Sequence, residues 1–364
     1  MPHQLSVRTL NRTYLERQSL LRRSPLSALS AVERLVGLQA QESNSPYVSL
    51  WARLADFRHA DLTALLHGRG VVRSKLHRNT QHLVTAEDFR RLRPLLEPVL
   101  MKARQGAFGR AIAGIDLSEL ASAGRELMSG EGLTRPQLAG RLAERFPGRD
   151  RQALVYATQS LVAHVHPPPS GTWDDRGATP LVLAEEWIGR PLETAPRVED
   201  VITRYLAVYG PASVMDVQAW SGLTRLRTVL DGMRSGLRTY QNTSGRELFD
   251  LPDAPLADPD VPAPVRFLPA FDNLILSHAD RTRVIGDEDR ARVITGSEVR
   301  PTFLVDGFVR GTWSLHDGTL HVRPYLALNP EETAQTGEEA ERLLAFLLPP
   351  PAARPVKGEV VIEG

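Results

Sequence analysis

The chain of 364 residues contains no cysteine. That removes disulfides, thiolate catalysis, Cys-ligated zinc and iron–sulfur clusters from consideration. Lysine is nearly absent as well: of 44 Lys and Arg residues, only Lys75, Lys102 and Lys357 are lysines. An amine nucleophile is therefore scarce, and arginine, the better fork for phosphate oxygens, carries the positive charge. No apolar run approaches the roughly 18 to 20 residues that span a bilayer. The polar start MPHQLSVRTLNRTYLERQ has no apolar signal-peptide core, so a cytoplasmic, nucleoid-associated protein is expected. The ten histidines form no HExxH-like pair, and no glycine-rich phosphate loop is present. No metal and no cofactor are expected.

The formal net charge of +1 hides an asymmetry. Residues 1–111 carry 16 Arg and 2 Lys against 8 acidic residues, a net +10, which leaves −9 for the remainder. A basic third joined to an acidic remainder suggests one surface that faces a polyanion.

Along the chain, helical pairs alternate with short β segments. Residues 5–21 have helical apolar spacing; Ser27 or Ser30 opens AVERLVGLQA, and Ser43 or Ser45 can cap SPYVSLWARL. ADLTALLHGRG continues the helical pattern. VVRSKLHRN and TQHLVT then alternate as strands around a polar turn. Helices closed by a two-stranded hairpin are the pattern of a winged helix. A second copy runs through EDFRRLRPLLEPVLMKAR, GLTRPQLAGRLAERF (Thr134 as N-cap, Pro136 in the first turn) and DRQALVYATQSLVAHVH. It ends in a long, proline-stiffened wing, PPPSGTWDDRGATPLVL. A third begins near Arg197 and closes with LRTYQNTSGRELFDLP. Three serial copies make a tandem array. From about residue 265 the texture turns strand-rich, suggesting a small β-barrel or sheet, and 252–264 reads as a linker. The expected units are 1–84, 85–194, 195–252 and 265–364, an α+β fold.

Four segments in this order, LQAQES (38–43), HRNTQHLV (77–84), LPAFDNLILSHADR (268–281) and VRGTWSL (309–315), resemble the winged-helix DNA glycosylases of the AlkZ/YcaQ type, over nearly the whole chain. The resemblance implies three tandem winged helices plus a β-barrel in a C-shaped DNA clamp. It implies excision of N-alkylated purines from double-stranded DNA, in some members from interstrand crosslinks. That family divides by a catalytic triplet, and Gln39-Ala40-Gln41 matches its Gln-apolar-Gln branch. Members of that branch often guard producers of DNA-alkylating antibiotics, so self-resistance is the implied setting.

The chemistry agrees with that triplet. An N7- or N3-alkylated purine is already cationic and leaves without a strong acid, so a positioned water is the main requirement. Two Gln carbonyls can accept hydrogen bonds from that water, although a neutral amide is no true base. In a helix, residues i and i+2 point about 200° apart; in an extended segment they share a side. Gln39 and Gln41 can thus reach one water only if the chain has left the helix by Gln39. Glu42 is read as a helix cap rather than a base.

Arg73, Lys75, His77, Arg78 and Asn79 lie on the first expected wing, where they would meet phosphate. His278, Asp280 and Arg281 follow an apolar strand in an expected hairpin that would enter a groove; a turn-stabilising ion pair is the other reading. Trp51, Trp187, Trp220 and Trp313 sit in apolar runs as core residues, and Trp173 is the one tryptophan placed to stack on a base. A monomer with no membrane association is expected. Winged helices also build transcription regulators, but no effector domain or dimer-forming heptad helix accompanies them here. A lesion-binding protein without catalysis stays open.

Overall fold

The computed structural model describes residues 3–130, 132–175, 177–348 and 358–363. A two-residue strand β1 (His3–Gln4) precedes helix α1 (Val7–Arg17). The first unit then runs α2 (Ala28–Arg34), β2 (Leu38–Gln39), α3 (Ser45–Arg53), α4 (His59–His67), β3 (Val71–Lys75) and β4 (Gln81–Thr85), with the sheet ordered β2-β4-β3. Ser27 caps α2 by accepting from the Ser30 amide. The N-cap of α3 is Asn44, not a serine, and Glu42 contributes through its backbone carbonyl, which accepts from the Ser45 amide at 3.3 Å. Two helices, α5 (Ala86–Leu95) and α6 (Glu97–Phe108), stand where one was expected. They break at Leu96, ahead of Pro98, which has no amide to donate back to the Pro94 carbonyl and so cannot continue the α5 hydrogen-bond ladder.

The second unit repeats the order: α7 (Leu117–Met128), β5 (Leu133–Thr134), α8 (Arg135–Arg145), α9 (Arg151–Leu161), β6 (His164–Val165) and β7 (Pro180–Leu183), with the sheet ordered β5-β7-β6. Thr134 and Gln137 form the capping box of α8, with Pro136 in its first turn. Helix α10 (Ala184–Ile188) leads to the third unit of α11 (Val198–Tyr209), α12 (Val214–Ser221), α13 (Leu226–Met233), β8 (Arg238–Gln241) and β9 (Glu247–Asp250). A single bridge, Ala212 to Phe249, takes the place of the short first strand. Helix, strand, two helices, then a hairpin recur three times, which is the winged-helix order. The third sheet gains a strand from far away, because β1 pairs parallel with β8. Residues 3–17, expected within unit 1–84, thus add their strand to the third sheet.

The last part holds β10 (Arg266–Leu268), α14 (Asn273–Leu276), α15 (Asp287–Val293) and a small hairpin of β11 (Ile294–Thr295) and β12 (Glu298–Val299). β13 (Thr302–Val305), β14 (Phe308–His316), β15 (Thr319–Pro324), α16 (Pro330–Leu347) and β16 (Glu359–Ile362) follow. Five of these strands make one sheet, β10-β13-β14-β15-β16, packed against α16 through Phe267, Phe303, Leu343 and Leu347. Of the expected unit 265–364, residues 349–357 and 364 lie outside the described residues. Among the described residues no helix is long and apolar enough to cross a membrane.

The charge asymmetry has an internal cause. Six of the sixteen arginines before residue 112 are buried: Arg12, Arg17, Arg53, Arg73, Arg93 and Arg104. Three of them pair with acids from the other end of the chain: Arg12 with Asp306, Arg17 with Asp250 and Arg53 with Asp272. Much of the positive third therefore stitches the fold together instead of facing a polyanion. The Arg53–Asp272 pair is the tightest: both side chains are buried, the guanidinium donates at 2.7 and 2.9 Å, and Ser49 Oγ adds a bond at 2.8 Å. Asp272→Ala would strand that buried cation. It is expected to lower unfolding free energy by about 3–5 kcal/mol, read by urea denaturation; a loss below about 1 kcal/mol would show that water reaches Arg53.

Candidate active site

Strand β2 carries the first glutamine. Leu38 and Gln39 pair with Leu83 and His82, and the Ala40 amide donates to Gln81 O at 2.8 Å. The chain has left the helix by Gln39, as the spacing required. Gln39 is only 6% exposed, whereas Gln41 stands open to solvent. The Gln39 carbonyl accepts from Arg78 Nη2 at 2.7 Å; the Gln41 carbonyl has only a long contact, 3.5 Å, from the Gln81 amide.

Arg73, on β3, is the tether of this loop. Its Nε donates to Ala40 O at 3.0 Å, its Nη2 to Gln41 O at 3.4 Å, and its Nη1 to Ser170 Oγ at 2.9 Å. Ser170 belongs to the long second wing, which folds back over the first unit. The His166 amide donates to Arg73 O, and Asn44 and Asp174 exchange two hydrogen bonds of 3.0 and 2.9 Å. Gly171 has a positive φ, and a Cβ there would sit 3.0 Å from Arg73 Cδ, so a side chain would be both strained and crowded. Trp173 is consumed by packing: it meets Tyr47, His59 and Phe346, so it is not a free base-stacking platform.

The first wing is likewise a packed joint. It spans only Leu76–Thr80 and turns inward, with Arg78 and Asn79 at φ 54° and 60°. His77 is buried with its ring 4.2 Å from that of Trp220. Half-buried Arg78 donates to Trp220 O as well as to Gln39. Asn79 donates to Tyr156 Oη at 2.7 Å, and Lys75 Nζ lies 4.5 Å from the centre of that Tyr156 ring. None of Arg73, His77 and Arg78 has the exposed side chain that a phosphate-facing wing requires.

The segment after residue 277 departs from expectation in the same way. His278 is buried, and its Nε2 sits 2.9 Å from Tyr209 O. Asp280 accepts from the Thr282 hydroxyl at 2.7 Å, and Arg281 Nε donates to Ile275 O at 2.8 Å. They make a fixed joint against α12, where Asp216 accepts from the Ala279 and Asp280 amides. The hairpin of this region is β11–β12 instead, turning at Gly296 with φ 60°. Sequence reading missed it as a site element because its strands are two residues each. Ser170, Asn44, Asp174 and His82 were missed as well; long-range contacts place the first three, and no local pattern announces those.

Burial sets the protonation of the region. It pulls His82 down to about 3, with the Arg78 charge adding to the effect, and draws Arg78 to about 10. Lys75 falls to about 8 through burial and then the charge of Arg135. Glu42 is raised, by burial first and by Glu298 of the β11–β12 hairpin second, which brings that hairpin into the field of the glutamine loop. Among the described residues no cluster of His, Asp and Glu could hold a metal ion.

The architecture is thus that of a tandem winged-helix protein with an extended glutamine pair in its first unit. Residues 32–346 match the family described as DNA glycosylase AlkZ-like. The chain is 25% identical over 338 residues to an interstrand DNA cross-link repair glycosylase of Streptomyces sahachiroi, covering 85% of this chain and 88% of that protein. The solved structure of the Streptomyces sahachiroi DNA glycosylase AlkZ superposes with a TM-score of 0.80 at 22% identity, over 99% of this chain and 100% of that one. The chain belongs to the AlkZ-like family and is a DNA glycosylase.

Arg73→Ala removes three bonds to the loop and the second wing. It is expected to slow base release while leaving the slope of log affinity against log salt unchanged. A residue that neutralises a phosphate contributes about 0.9 to that slope on duplex DNA. A slope lowered by about one unit in the variant would return Arg73 to the DNA interface.

Proposed function

We propose that this glycosylase hydrolyses the N-glycosidic bond of cationic N-alkylated purines, of the N7-alkylguanine or N3-alkyladenine type, in double-stranded DNA. Gln39 and Gln41 position the attacking water. The observation that carries this reading is the extended Gln39-Ala40-Gln41 segment, tethered by Arg73, with two neutral amides where most glycosidases place carboxylates. Amides orient water but cannot take its proton, so the site suits a leaving group activated in advance. The C1′–N bond breaks with its electrons going to the cationic base, which departs neutral. The water oxygen bonds to C1′, and its proton passes to solvent. Unmodified guanine, a poor leaving group, is spared.

Bulky adducts and interstrand crosslinks are the proposed range, supported by the likeness to the interstrand DNA cross-link repair glycosylase of Streptomyces sahachiroi. Self-resistance in an antibiotic producer is the proposed setting. The enzyme acts as a monomer clamped on duplex DNA, without cofactor. Incubation with duplex DNA containing N7-methylguanine should release free base. Glu42→Gln belongs in the same assay: activity close to wild type supports the amide pair, whereas its loss would make Glu42 the base.

The enzyme should also be monofunctional, leaving an intact abasic strand. A lyase step needs a Schiff-base amine. Lys75, in the sheet that carries the glutamine loop, is the candidate, and its ammonium is occupied by the Tyr156 ring. Borohydride is expected to trap no protein–DNA adduct, and trapping that vanishes in Lys75→Ala would overturn this.

A further inference from the structure

Arg78 is an unusual group to find beneath the glutamine loop. Its guanidinium has no carboxylate partner among the described residues, and burial draws its pKa to about 10, so it stays charged at neutral pH. Desolvated cations normally sit against an acid. Here two neutral carbonyls take that place, Trp220 O and Gln39 Oε1. The backbone is shaped to allow it: Arg78 occupies the left-handed region, uncommon for a non-glycine residue. Gly222 of the third unit presses on it, at a spot where a Cβ would come 3.1 Å from Arg78 N and 3.0 Å from Val99 Cγ1.

A guanidinium only donates hydrogen bonds, so only the oxygen of the Gln39 amide can face it. The NH2 end is thereby turned away, and Gln39 Nε2 makes no hydrogen bond among the described residues. Gln41 differs: among the described residues no cation engages its Oε1, which has only the 3.5 Å contact with a backbone amide. The two amides are chemically alike but held unequally.

We propose that Arg78 fixes the polarity of the Gln39 amide, so that Gln39 acts as a hydrogen-bond donor through Nε2 and Gln41 alone supplies the accepting carbonyl. This rests on the water-placing role of the pair proposed above. A water held this way receives an N–H from Gln39 on one lone pair and gives a hydrogen to Gln41 Oε1. Its second lone pair is left for C1′. Arg78 is a positioning residue: it touches neither water nor base and acts through Gln39.

The test compares Gln39→Glu with Gln41→Glu in single-turnover release of N7-methylguanine at saturating enzyme. A glutamate at 39 has no N–H and would pair with Arg78, so release should slow at least tenfold. A glutamate at 41 keeps the acceptor and adds a group that can take the water's proton, so release should quicken at least threefold. Arg78→Met frees the Gln39 amide and should lower the rate about tenfold with Kd within twofold; Arg78→Lys, which keeps charge but not the two-armed reach, should not restore it. Equal behaviour of the two glutamate variants would overturn the proposal, as would a wild-type rate in folded Arg78→Met. If Arg78→Met does not fold, the glutamate pair still decides. Full activity in a Gln39→Ala, Gln41→Ala enzyme is a different result: it would remove the water-placing role itself.

Discussion

Gln39→Ala combined with Gln41→Ala is expected to abolish measurable base release while DNA affinity stays within a few-fold of wild type. Neither amide supports the sheet: β2 is held by backbone bonds to β4, and the loop by Arg73. What is lost is the orientation of one water. By analogy with removal of a transition-state hydrogen-bonding group, the barrier should rise by about 2–4 kcal/mol, roughly 30- to 1000-fold in rate. Single-turnover kinetics beside a binding isotherm separate the two quantities. A double variant that releases base at the normal rate would sink the mechanism.

Acidification is expected to destabilise the protein steeply. Burial draws His82 and His278 down to about 3, helped by the charges of Arg78 and Arg283, and His166 to about 4. In the unfolded chain each imidazole titrates near 6.5. Between pH 6.5 and about 4 the unfolded state therefore binds protons that the folded state refuses. The stability these residues give is full above pH 6.5, and it is lost as pH falls toward 4 and then 3. Each group contributes about 1.4 kcal/mol per pH unit within its window. Three groups over 1.5 units, from pH 6.5 to 5, approach about 6 kcal/mol, against a total of about 5–15 kcal/mol for a typical domain. Asp216 works against the loss at His278 by favouring its charged form. Calorimetric melting between pH 7.5 and 5 measures the effect; a flat profile would mean that the folded protein charges these histidines.

The parts of this architecture legible in the sequence are those governed by local rules. The threefold helix–hairpin rhythm came from periodicity and caps such as Thr134. The i, i+2 spacing only set a condition on Gln39 and Gln41, while periodicity carried the helix on to Ala40; the structure ends that helix at Arg34 and makes Leu38–Gln39 a strand. The errors fall where local chemistry and long-range packing disagree. Arg73, His77 and Arg78 form a polar hairpin that reads as a solvated wing. Ser170 of the second wing closes over Arg73, and Trp220 and Gly222, more than 140 residues later, close over His77 and Arg78. Trp173 looks exposed among prolines and aspartates until Tyr47, His59 and Phe346 close on it. The basic third looked like a DNA face because the acids that neutralise Arg12, Arg17 and Arg53 are remote in sequence.

Helix α1 places a constraint on how the molecule can be assembled. Arg17 bonds to Asp250, 233 positions downstream, and Asn11 donates to Gly307 O, 296 positions downstream. A nascent chain emerging from the ribosome carries α1 and β1 without a dock until the third unit and much of the last part have been made. The first two units can condense as they appear, each from its own helices and hairpin. The third sheet waits for β1, its earliest strand, to come back. Ribosome-stalled chains that end before residue 250 should therefore leave α1 open to proteolysis, and chains extending past residue 307 should protect it.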